Sequence, residues 1–181
     1  SDRDVLLVTG GARGVTAAVA LEIARRYRPR LVLLGRTDLP EAEPAWLSGA
    51  RSERDIKQAI AHQHPDWSPR RVSHLCREIL AAREIRENLD QIQRAGAFVQ
   101  YHSVDVRDRD ELARTLVELR REFGKITGLI HGAGVIEDRL IVDKTDEQFE
   151  DVFSTKVVGL VNLLDLLNGD SLRAIVLFSS S

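Results

Sequence analysis

Apolar positions along the chain follow two patterns: short continuous runs, and longer segments in which they recur every three or four residues. Continuous Val- and Leu-rich runs are typical of strands buried in a parallel sheet, and the three-to-four spacing is typical of helices. We predict strands at residues 4–9, 31–35, 98–102, 127–131 and 174–179, and helices at residues 15–27, 110–123 and 146–167. This alternation predicts right-handed crossovers and an α/β fold, a parallel sheet with helices on both faces.

The interval between the second and third strands is too long for a simple crossover. Its first half contains the prolines Pro40, Pro44, Pro65 and Pro69, and its second half carries apolar residues at helical spacing, namely Val72, Leu75, Ile79, Ala82, Ile85, Leu89 and Ile92. Gly96 is placed to end this helix. Ser52 is placed to begin a shorter helix near residues 52–62, with Asp55 in its first turn. We therefore predict a helical insertion over about residues 40–96, after the second strand.

Trp46 and Trp67 both lie in this insertion. We interpret them as anchors that fix the insertion to the rest of the domain. The alternative is that they mark a surface for a partner protein.

Length, composition and charge exclude several classes of protein. The chain has 181 residues, of which 43% are hydrophobic and 30% charged, and its formal net charge is −2. These values favour one domain over residues 1–181 and exclude disorder and general nucleic-acid binding. No apolar run approaches the ~20 residues of a membrane span. Cys76 is the single cysteine, which excludes an internal disulfide and favours a cytoplasmic location. His62 and His64 have no cysteines at zinc spacing, so no metal is expected.

A glycine-rich turn follows the first strand directly. Thr9 ends the strand, Gly10, Gly11 and Gly14 form the turn, and Val15 opens the next helix. Glycines let the backbone turn tightly and approach a ligand, and the N-terminus of the helix points its N–H groups and its positive dipole end at the same place. This arrangement predicts a dinucleotide-binding site.

Residues after the second and third strands refine that prediction. Arg36 follows the second strand where an acidic residue would bind the ribose of NAD, and Arg13 lies within the glycine turn. Two cations near one strand end favour NADP, although two solvated surface arginines are the alternative. Asp105 follows the third strand and could accept from the adenine amino group, with Val106 against the ring. The alternative is a strand-end acid that caps a turn.

Three further groups complete the candidate site. The HGAG segment, His131, Gly132, Ala133 and Gly134, would let backbone pass close to the ribose or nicotinamide, or forms a tight turn. Lys156 falls on the predicted buried stripe of its helix, formed by Phe149, Val152, Phe153, Leu160, Leu164 and Leu167. It either extends to water or stays beside a cofactor as a functional group. Ser179, Ser180 and Ser181 end the last strand, where a hydroxyl could donate to a substrate carbonyl or belong to a turn.

In this order, the segments VTGGARG, LLGR, VDV, HGAG, FSTKVVG and VLFSS resemble the short-chain dehydrogenase/reductase superfamily. Within it, the chain is most similar to ketoreductase domains of iterative polyketide and polyunsaturated fatty acid synthases, over essentially all of its length. The resemblance implies a Rossmann-type doubly wound sheet and NADPH as cofactor, with Arg13 and Arg36 at the 2′-phosphate and Asp105 at the adenine. It also implies that Ser180 polarises the ketone and that Lys156 is the active-site lysine.

The resemblance extends to stereochemistry, with departures. Ile136, Glu137 and Asp138 are similar to the Leu-Asp-Asp signature of B-type ketoreductases, with Asp138 at its last position, which implies an R alcohol. Thr16 stands where the superfamily has its last motif glycine, a change that this branch shares.

The catalytic tyrosine of the family lies beyond the serine, and the chain stops at Ser181. Tyr27 and Tyr101, in the first helix and the third strand, cannot replace it. The chain also begins with Ser1 and has no methionine. We interpret it as a C-terminally incomplete piece of a longer polypeptide, inactive by itself.

The leading hypothesis is NADPH-dependent reduction of a 3-ketoacyl thioester, carried on an acyl carrier protein, within a multidomain synthase that supplies neighbouring domains. One alternative is a stand-alone short-chain dehydrogenase that acts on a free small molecule. Another is a non-catalytic, structural ketoreductase-like subdomain, against which the retained glycine turn and Arg36 argue.

Overall fold

The computed structural model describes residues 4–134 and 144–179. Its strands and helices lie within a few residues of the predicted positions. They are, in chain order, β1 (Val5–Thr9), α1 (Gly14–Tyr27), β2 (Arg30–Gly35), a 3₁₀ turn (Ala45–Leu47), α2 (Glu53–Gln63), α3 (Pro69–Arg94), β3 (Phe98–Ser103), α4 (Arg109–Phe123), β4 (Gly128–His131), α5 (Asp146–Phe153), a π-helical turn (Ser154–Val158), α6 (Gly159–Leu166) and β5 (Ala174–Leu177).

The five strands form one parallel sheet in the order β3-β2-β1-β4-β5. The chain moves from β1 outward to β3 and then returns to the other side of β1. This reversal at β1 is the topological switch of a doubly wound sheet, so the predicted Rossmann-type fold is confirmed. In the register, Thr9 lies opposite Leu34 on one side and His131 on the other.

Helices cover both faces of the sheet because right-handed crossovers place α1 on one face and α4 and α6 on the other. On the second face, alternate strand residues pack against these two helices in a cluster that includes Val5, Leu7, Val32, Leu34, Leu129, Leu112, Leu116, Leu119 and Leu163. On the first face, α1 buries small residues, Ala17, Ala20 and Ala24. These small side chains let α1, which begins at the end of the glycine turn, lie close to the strands.

The segment predicted as one helix with a single apolar stripe is interrupted, and the stripe was partly wrong. A π-helical turn separates α5 from α6 and changes the residue spacing between them. Phe149 and Phe153 are 56% and 45% exposed, and Leu164 is 41% exposed. The buried face instead carries Thr155, Gly159, Asn162, Leu163 and Leu167. The polar members are accommodated because they make hydrogen bonds, as with Thr155 Oγ1, which donates to the Asp151 carbonyl at 2.7 Å.

Residues 37–87 form a compact unit of their own, which we call the insertion unit; the rest of the chain forms the sheet unit. The core of the insertion unit contains Leu47, Ile56, Ile60 and Cys76. Both Trp46 and Trp67 pack against this core, and Trp67 stacks on His64 with ring centroids 4.0 Å apart. The anchoring interpretation of the two indoles and its partner-surface alternative stay predictions.

Two helix ends in this region formed as predicted. Ser52 caps α2 in a capping box with Asp55, in which each side chain accepts from the backbone N–H of the other. After α3, Gly96 is left-handed (φ 83°), Gly96 N–H donates to the Gln93 carbonyl and Ala97 N–H to the Ile92 carbonyl. This is a Schellman ending, which favours glycine at that position. From Asn88 onward, α3 belongs to the sheet unit.

Candidate cofactor and active site

The glycine turn and the loop after β4 approach each other at the switch point of the sheet. Gly10 is left-handed (φ 67°), and a Cβ atom on it would lie 2.7 Å from the Gly132 carbonyl oxygen. A side chain at position 10 would therefore collide with backbone. Thr16 is buried and its hydroxyl packs directly against Gly132. The threonine that departs from the superfamily pattern thus fills space that Gly132 leaves open.

The N-terminus of α1 differs from those of α2, α4 and α5. Ser52, Asp108 and Thr145 cap these three helices with side-chain hydrogen bonds, and each has acidic residues in its first turn. Arg13, at the N-cap of α1, makes no side-chain cap hydrogen bond, and the first turn of α1 contains no acid. Arg13, Gly14 and Val15 are exposed. Within its own first turn, α1 therefore has no acidic residue to offset the positive end of the helix dipole, which favours an anion there.

Asp105 lies at the end of β3 in a cluster of charges. Arg107 binds its carboxylate through Nε and Nη2, the latter at 2.7 Å from Oδ2, and Arg107 N–H donates to Oδ1 at 3.0 Å. Burial acts to raise the pKa of Asp105, but these hydrogen bonds and the charges of Arg107 and Arg36 outweigh it and hold the pKa below its ordinary value. Asp105 therefore caps the turn that follows β3, and the charge of Arg36 lies near enough to lower the pKa of Asp105.

Arg107 also joins Asp105 to the helix that follows β4, since its Nη1 lies 3.0 Å from Asp151 Oδ1 in α5. From α6, the buried Asn162 donates through Nδ2 to the carbonyls of Val106 and Arg107, at 3.1 and 3.2 Å. Val106 itself is buried. The loop that carries Asp105 and Val106 is therefore held from two helices.

His131 is buried at the end of β4, with both ring nitrogens hydrogen-bonded. Its Nδ1 lies 2.8 Å from Thr9 Oγ1, and its Nε2 lies 3.0 Å from the Lys156 carbonyl oxygen. Burial lowers the pKa of His131, opposed by the hydrogen bond to the Lys156 carbonyl and assisted by the Lys156 charge. Ala133 N–H donates to Thr9 Oγ1 at 3.3 Å. The sequence pattern indicated a role only for the backbone of this segment. The structure adds a role for the His131 side chain, whose imidazole connects β1 to the π-helical turn.

Lys156 is half-buried and its side chain lies between the loop after β4 and the end of β5. Its Nζ donates to the Phe178 carbonyl at 3.0 Å. A Cβ atom on Gly134 would lie 3.2 Å from both Lys156 Cε and Nζ, so the lysine packs on that backbone. The ammonium group is thus bound at the strand ends, next to Ser179. Ser180 and residues 136–138, with Asp138, lie outside the described residues.

Sequence reasoning missed three side chains that hold the candidate site, Arg107, Asn162 and Asn88. Asn88 Nδ2 donates to the Ala12 carbonyl within the glycine turn, at 2.9 Å. The partners of Asn88 and Asn162 are distant in sequence, so no local spacing could have indicated them. The one signal available was Asn162 itself, a polar residue in an apolar helix segment.

The profile of the KR domain family matches residues 5–181. The chain belongs to the KR (ketoreductase) domain family. This is a family of oxidoreductases within the short-chain dehydrogenase/reductase superfamily, as the sequence resemblance implied.

Relatives of this KR chain are parts of much longer synthases. It is 35% identical over 191 aligned residues to one component of the polyunsaturated fatty acid synthase of Thraustochytrium sp., and the alignment covers 99% of this chain and 7% of that protein. It is 31% identical over 179 residues to polyketide synthase PksL of Bacillus subtilis, covering 97% of this chain and 3% of that protein. The chain thus spans a small part of the relatives it matches.

Solved structures agree on the fold. An N-terminal ketoreductase from the macrolactin assembly line superposes with a TM-score of 0.71 at 26% identity, covering 99% of this chain and 28% of that one. A short-chain dehydrogenase from Mycobacterium paratuberculosis, solved bound to NAD, superposes with a TM-score of 0.67 at 20% identity, covering 99% and 56%. The second likeness shows the fold alone. Of the helices in the described residues, none is both long and apolar enough to cross a membrane.

Proposed function

We propose that the chain is the cofactor-binding part of an NADPH-dependent ketoreductase, which reduces a 3-ketoacyl thioester on an acyl carrier protein to the 3-hydroxyacyl thioester. The observation that carries this proposal is the position of Lys156. Its ammonium group is bound to the Phe178 carbonyl and packs on Gly134, at the carboxyl ends of β5 and β4. Ligands bind at this edge of a doubly wound sheet.

The residues at the strand ends fit a dinucleotide phosphate. The N-terminus of α1 offers an anion site, and the contact between Gly10 and Gly132 leaves a surface of backbone without side chains. In the proposal, Arg13 and Arg36 bind the 2′-phosphate, and Thr9, Gly11, Gly14 and Val15 line the turn. Asp105 and Val106 contact the adenine, and the backbone of residues 131–134 passes the ribose and nicotinamide.

NADPH, when bound, supplies the hydride. Ser180 holds the ketone oxygen by a hydrogen bond, and Lys156 keeps a positive charge where the oxygen becomes an alkoxide, which also eases the proton transfer. In the family that the chain resembles, a tyrosine hydroxyl donates the proton. Tyr27 is exposed on α1, and the Tyr101 hydroxyl lies close to Gly35, so in the proposal this donor comes from outside the 181 residues. Asp138 is assigned to B-type stereocontrol.

The cofactor assignment is tested by titrating the chain with NADPH and with NADH, for wild type and Arg36→Ala. A charge-assisted contact to the phosphate makes us expect a loss of NADPH affinity of about tenfold to a hundredfold, with NADH binding unchanged. Arg121→Ala is the matched control, because Arg121 is an exposed arginine near the far end of α4. Equal affinity for the two cofactors, together with an unchanged Arg36→Ala, would show that the 2′-phosphate assignment is wrong.

The substrate is tested in a catalytically complete ketoreductase that carries this chain. We expect faster reduction of a carrier-bound 3-ketoacyl thioester than of the free ketone. Comparable turnover of the two would favour a stand-alone dehydrogenase instead. No change in NADPH fluorescence with folded protein would favour a structural subdomain.

A further inference from the structure

Two separate contacts hold Lys156, one through its backbone and one through its side chain. Its carbonyl oxygen lies 3.0 Å from His131 Nε2, and its Nζ donates to the Phe178 carbonyl at 3.0 Å. The backbone contact falls within the π-helical turn Ser154–Val158, where the regular helix spacing is interrupted. Such turns are rare and occur often at functional sites.

The direction of the hydrogen bonds follows from the partners of the His131 ring. A carbonyl oxygen can only accept, so Nε2 carries the proton and donates to Lys156. The Nδ1 atom is then an acceptor and receives the hydroxyl proton of Thr9. Thr9 Oγ1 in turn accepts from Ala133 N–H. One continuous chain of hydrogen bonds therefore runs from the loop after β4, through β1, to the backbone of Lys156.

The two side chains in this series of hydrogen bonds are both buried. His131 is 3% exposed and Thr9 is fully buried. Gly159, in the first turn of α6, packs beside the ring: a Cβ atom there would lie in ordinary contact with His131 Cε1 at 3.7 Å, but only 2.6 Å from Val106 Cγ2, so the glycine leaves room for Val106. Buried polar groups that are fully hydrogen-bonded make rigid connections. The imidazole has both polar atoms committed to the protein, and its side chain has none left for a substrate or a cofactor.

We propose that His131 is a positioning residue for Lys156: by donating to its carbonyl, His131 fixes the π-helical turn so that the ammonium group reaches the Phe178 carbonyl beside Gly134. The importance of this position for catalysis rests on the proposed function. The connection itself does not, because it is a property of the folded chain. Without the imidazole, the turn loses its link to β4 and the lysine side chain becomes free to move toward solvent.

Two conservative variants separate this role from general support of the core. The amide nitrogen of glutamine in His131→Gln takes the place of Nε2 and can still donate to the Lys156 carbonyl. The shorter side chain in His131→Asn takes the place of Nδ1 and reaches Thr9 alone. Thr9→Val is the matched control, because it removes the hydrogen bond to His131 Nδ1 and leaves the contact of His131 Nε2 with the Lys156 carbonyl in place.

The readout is the position of the lysine itself. The chain contains four lysines, Lys57, Lys125, Lys144 and Lys156, so ¹³C-methylated lysines give a spectrum that can be assigned by substitution. Lys125 and Lys144 are exposed and serve as references. We expect the Lys156 signal to differ from these references in wild type, His131→Gln and Thr9→Val, and to move onto them in His131→Asn. An unmoved signal in His131→Asn, or a loss in His131→Gln equal to that in His131→Asn, would overturn the proposal.

A measurement on the wild-type chain needs no variant to fold. The chain contains five histidines, and the ¹⁵N shifts of their rings report which nitrogen carries the proton. We expect His131 as the neutral Nε2–H form. The Nδ1–H form would overturn the proposal, because Nε2 could then not donate to Lys156.

Catalysis adds a second readout in a complete ketoreductase that carries this chain. We expect kcat to fall at least about tenfold in His131→Asn, with recovery in His131→Gln and an NADPH affinity within about threefold of wild type, since small misplacements of a reacting group are costly. A fall in NADPH affinity that matches the fall in kcat would contradict a role through Lys156. If the wild type bound no NADPH, the proposed function would fail, whereas the lysine spectrum would still decide the role of His131.

Discussion

The sheet unit and the insertion unit bury different kinds of side chain. Among the described residues, the buried polar side chains all belong to the sheet unit: Thr9, Thr16, Thr115, His131, Thr155 and Asn162. The insertion unit has an apolar core. It also contains a half-buried ion pair between Arg83 and Glu43, in which Nη2 lies 2.8 Å from Oε2. Burying polar groups is unfavourable unless each is satisfied. Thr9, His131 and Asn162 meet this requirement through hydrogen bonds to partners distant in sequence, so these bonds fix one arrangement of the elements that carry them.

The largest expected effect comes from cavities in the two cores. Leu116 in α4 and Ile60 in α2 are both fully buried. We expect Leu116→Ala and Ile60→Ala each to lower the free energy of unfolding of their own unit by about 3 kcal/mol. Native-state hydrogen exchange would measure this region by region, since local stabilities differ within one protein.

The same pair of variants separates the two units functionally. We expect Ile60→Ala to accelerate exchange in residues 37–87 while NADPH affinity changes by less than about twofold. Acceleration throughout the chain in both variants would show that the two units unfold together.

A polar substitution in the sheet unit should have the next largest effect. Asn162→Leu keeps the branching of the side chain, in a larger volume, but removes the donor to the Val106 and Arg107 carbonyls. Because these carbonyls lose a partner in a buried place, we expect about 2 kcal/mol of destabilisation in urea unfolding and weaker NADPH binding. Asn168→Leu, at an exposed position just after α6, is the control and should change stability by about 0.5 kcal/mol or less. Equal effects of the two would remove the distinction between buried and exposed polar groups.

Acid should act on the sheet unit at a higher pH than on the insertion unit. Burial lowers the pKa of His131 and of His102 below the ordinary value of about 6.5. Below about pH 6.5 the unfolded chain therefore binds protons that the folded unit does not. The stability that the two neutral histidines contribute is complete above about pH 6.5 and declines as the pH falls below it. In the insertion unit, hydrogen bonds from Arg83 hold the pKa of Glu43 below its ordinary value. That contribution is complete above about pH 4.3 and is lost as the pH falls through the lowered pKa.

The measurement is hydrogen exchange against pH, corrected for intrinsic rates. We expect protection in the sheet unit to begin to fall as the pH drops below about 6.5, while residues 37–87 keep theirs until the pH falls below about 4.3. His131→Gln and His102→Gln should each flatten the first decline, and Glu43→Gln the second. A single decline shared by both units would argue against separate titrating groups.

The smallest expected effect concerns a helix end. Ser52→Ala removes the capping box of α2, so we expect the insertion unit to lose about 1 kcal/mol and the sheet unit to keep its stability. Ser73→Ala, which changes a serine within α3 rather than at a helix end, is the comparison and should have the weaker effect. A reversed order of the two would show that the cap is of little importance.

Much of the fold could be predicted because it depends on local pattern. The strands, the caps at Ser52 and Gly96, and the glycine turn are determined by residues within a few positions of one another. The apolar stripe of residues 146–167 was partly wrong for the same reason. A regular 3.6-residue spacing was assumed, and the π-helical turn shifts the buried face to Thr155, Asn162 and Leu163.

By itself, the sequence determined the order of the elements and the parallel sheet, since short-range spacing encodes secondary structure and turns, and it predicted the place of a dinucleotide site. The tertiary structure decided which polar groups meet. His131 reaches Lys156 across 25 positions, and Thr9 reaches His131 across 122. Such contacts depend on the register between strands and on the exact course of one helical turn, which no local pattern specifies. The position of Lys156 at the strand ends is therefore a property of the packed sheet.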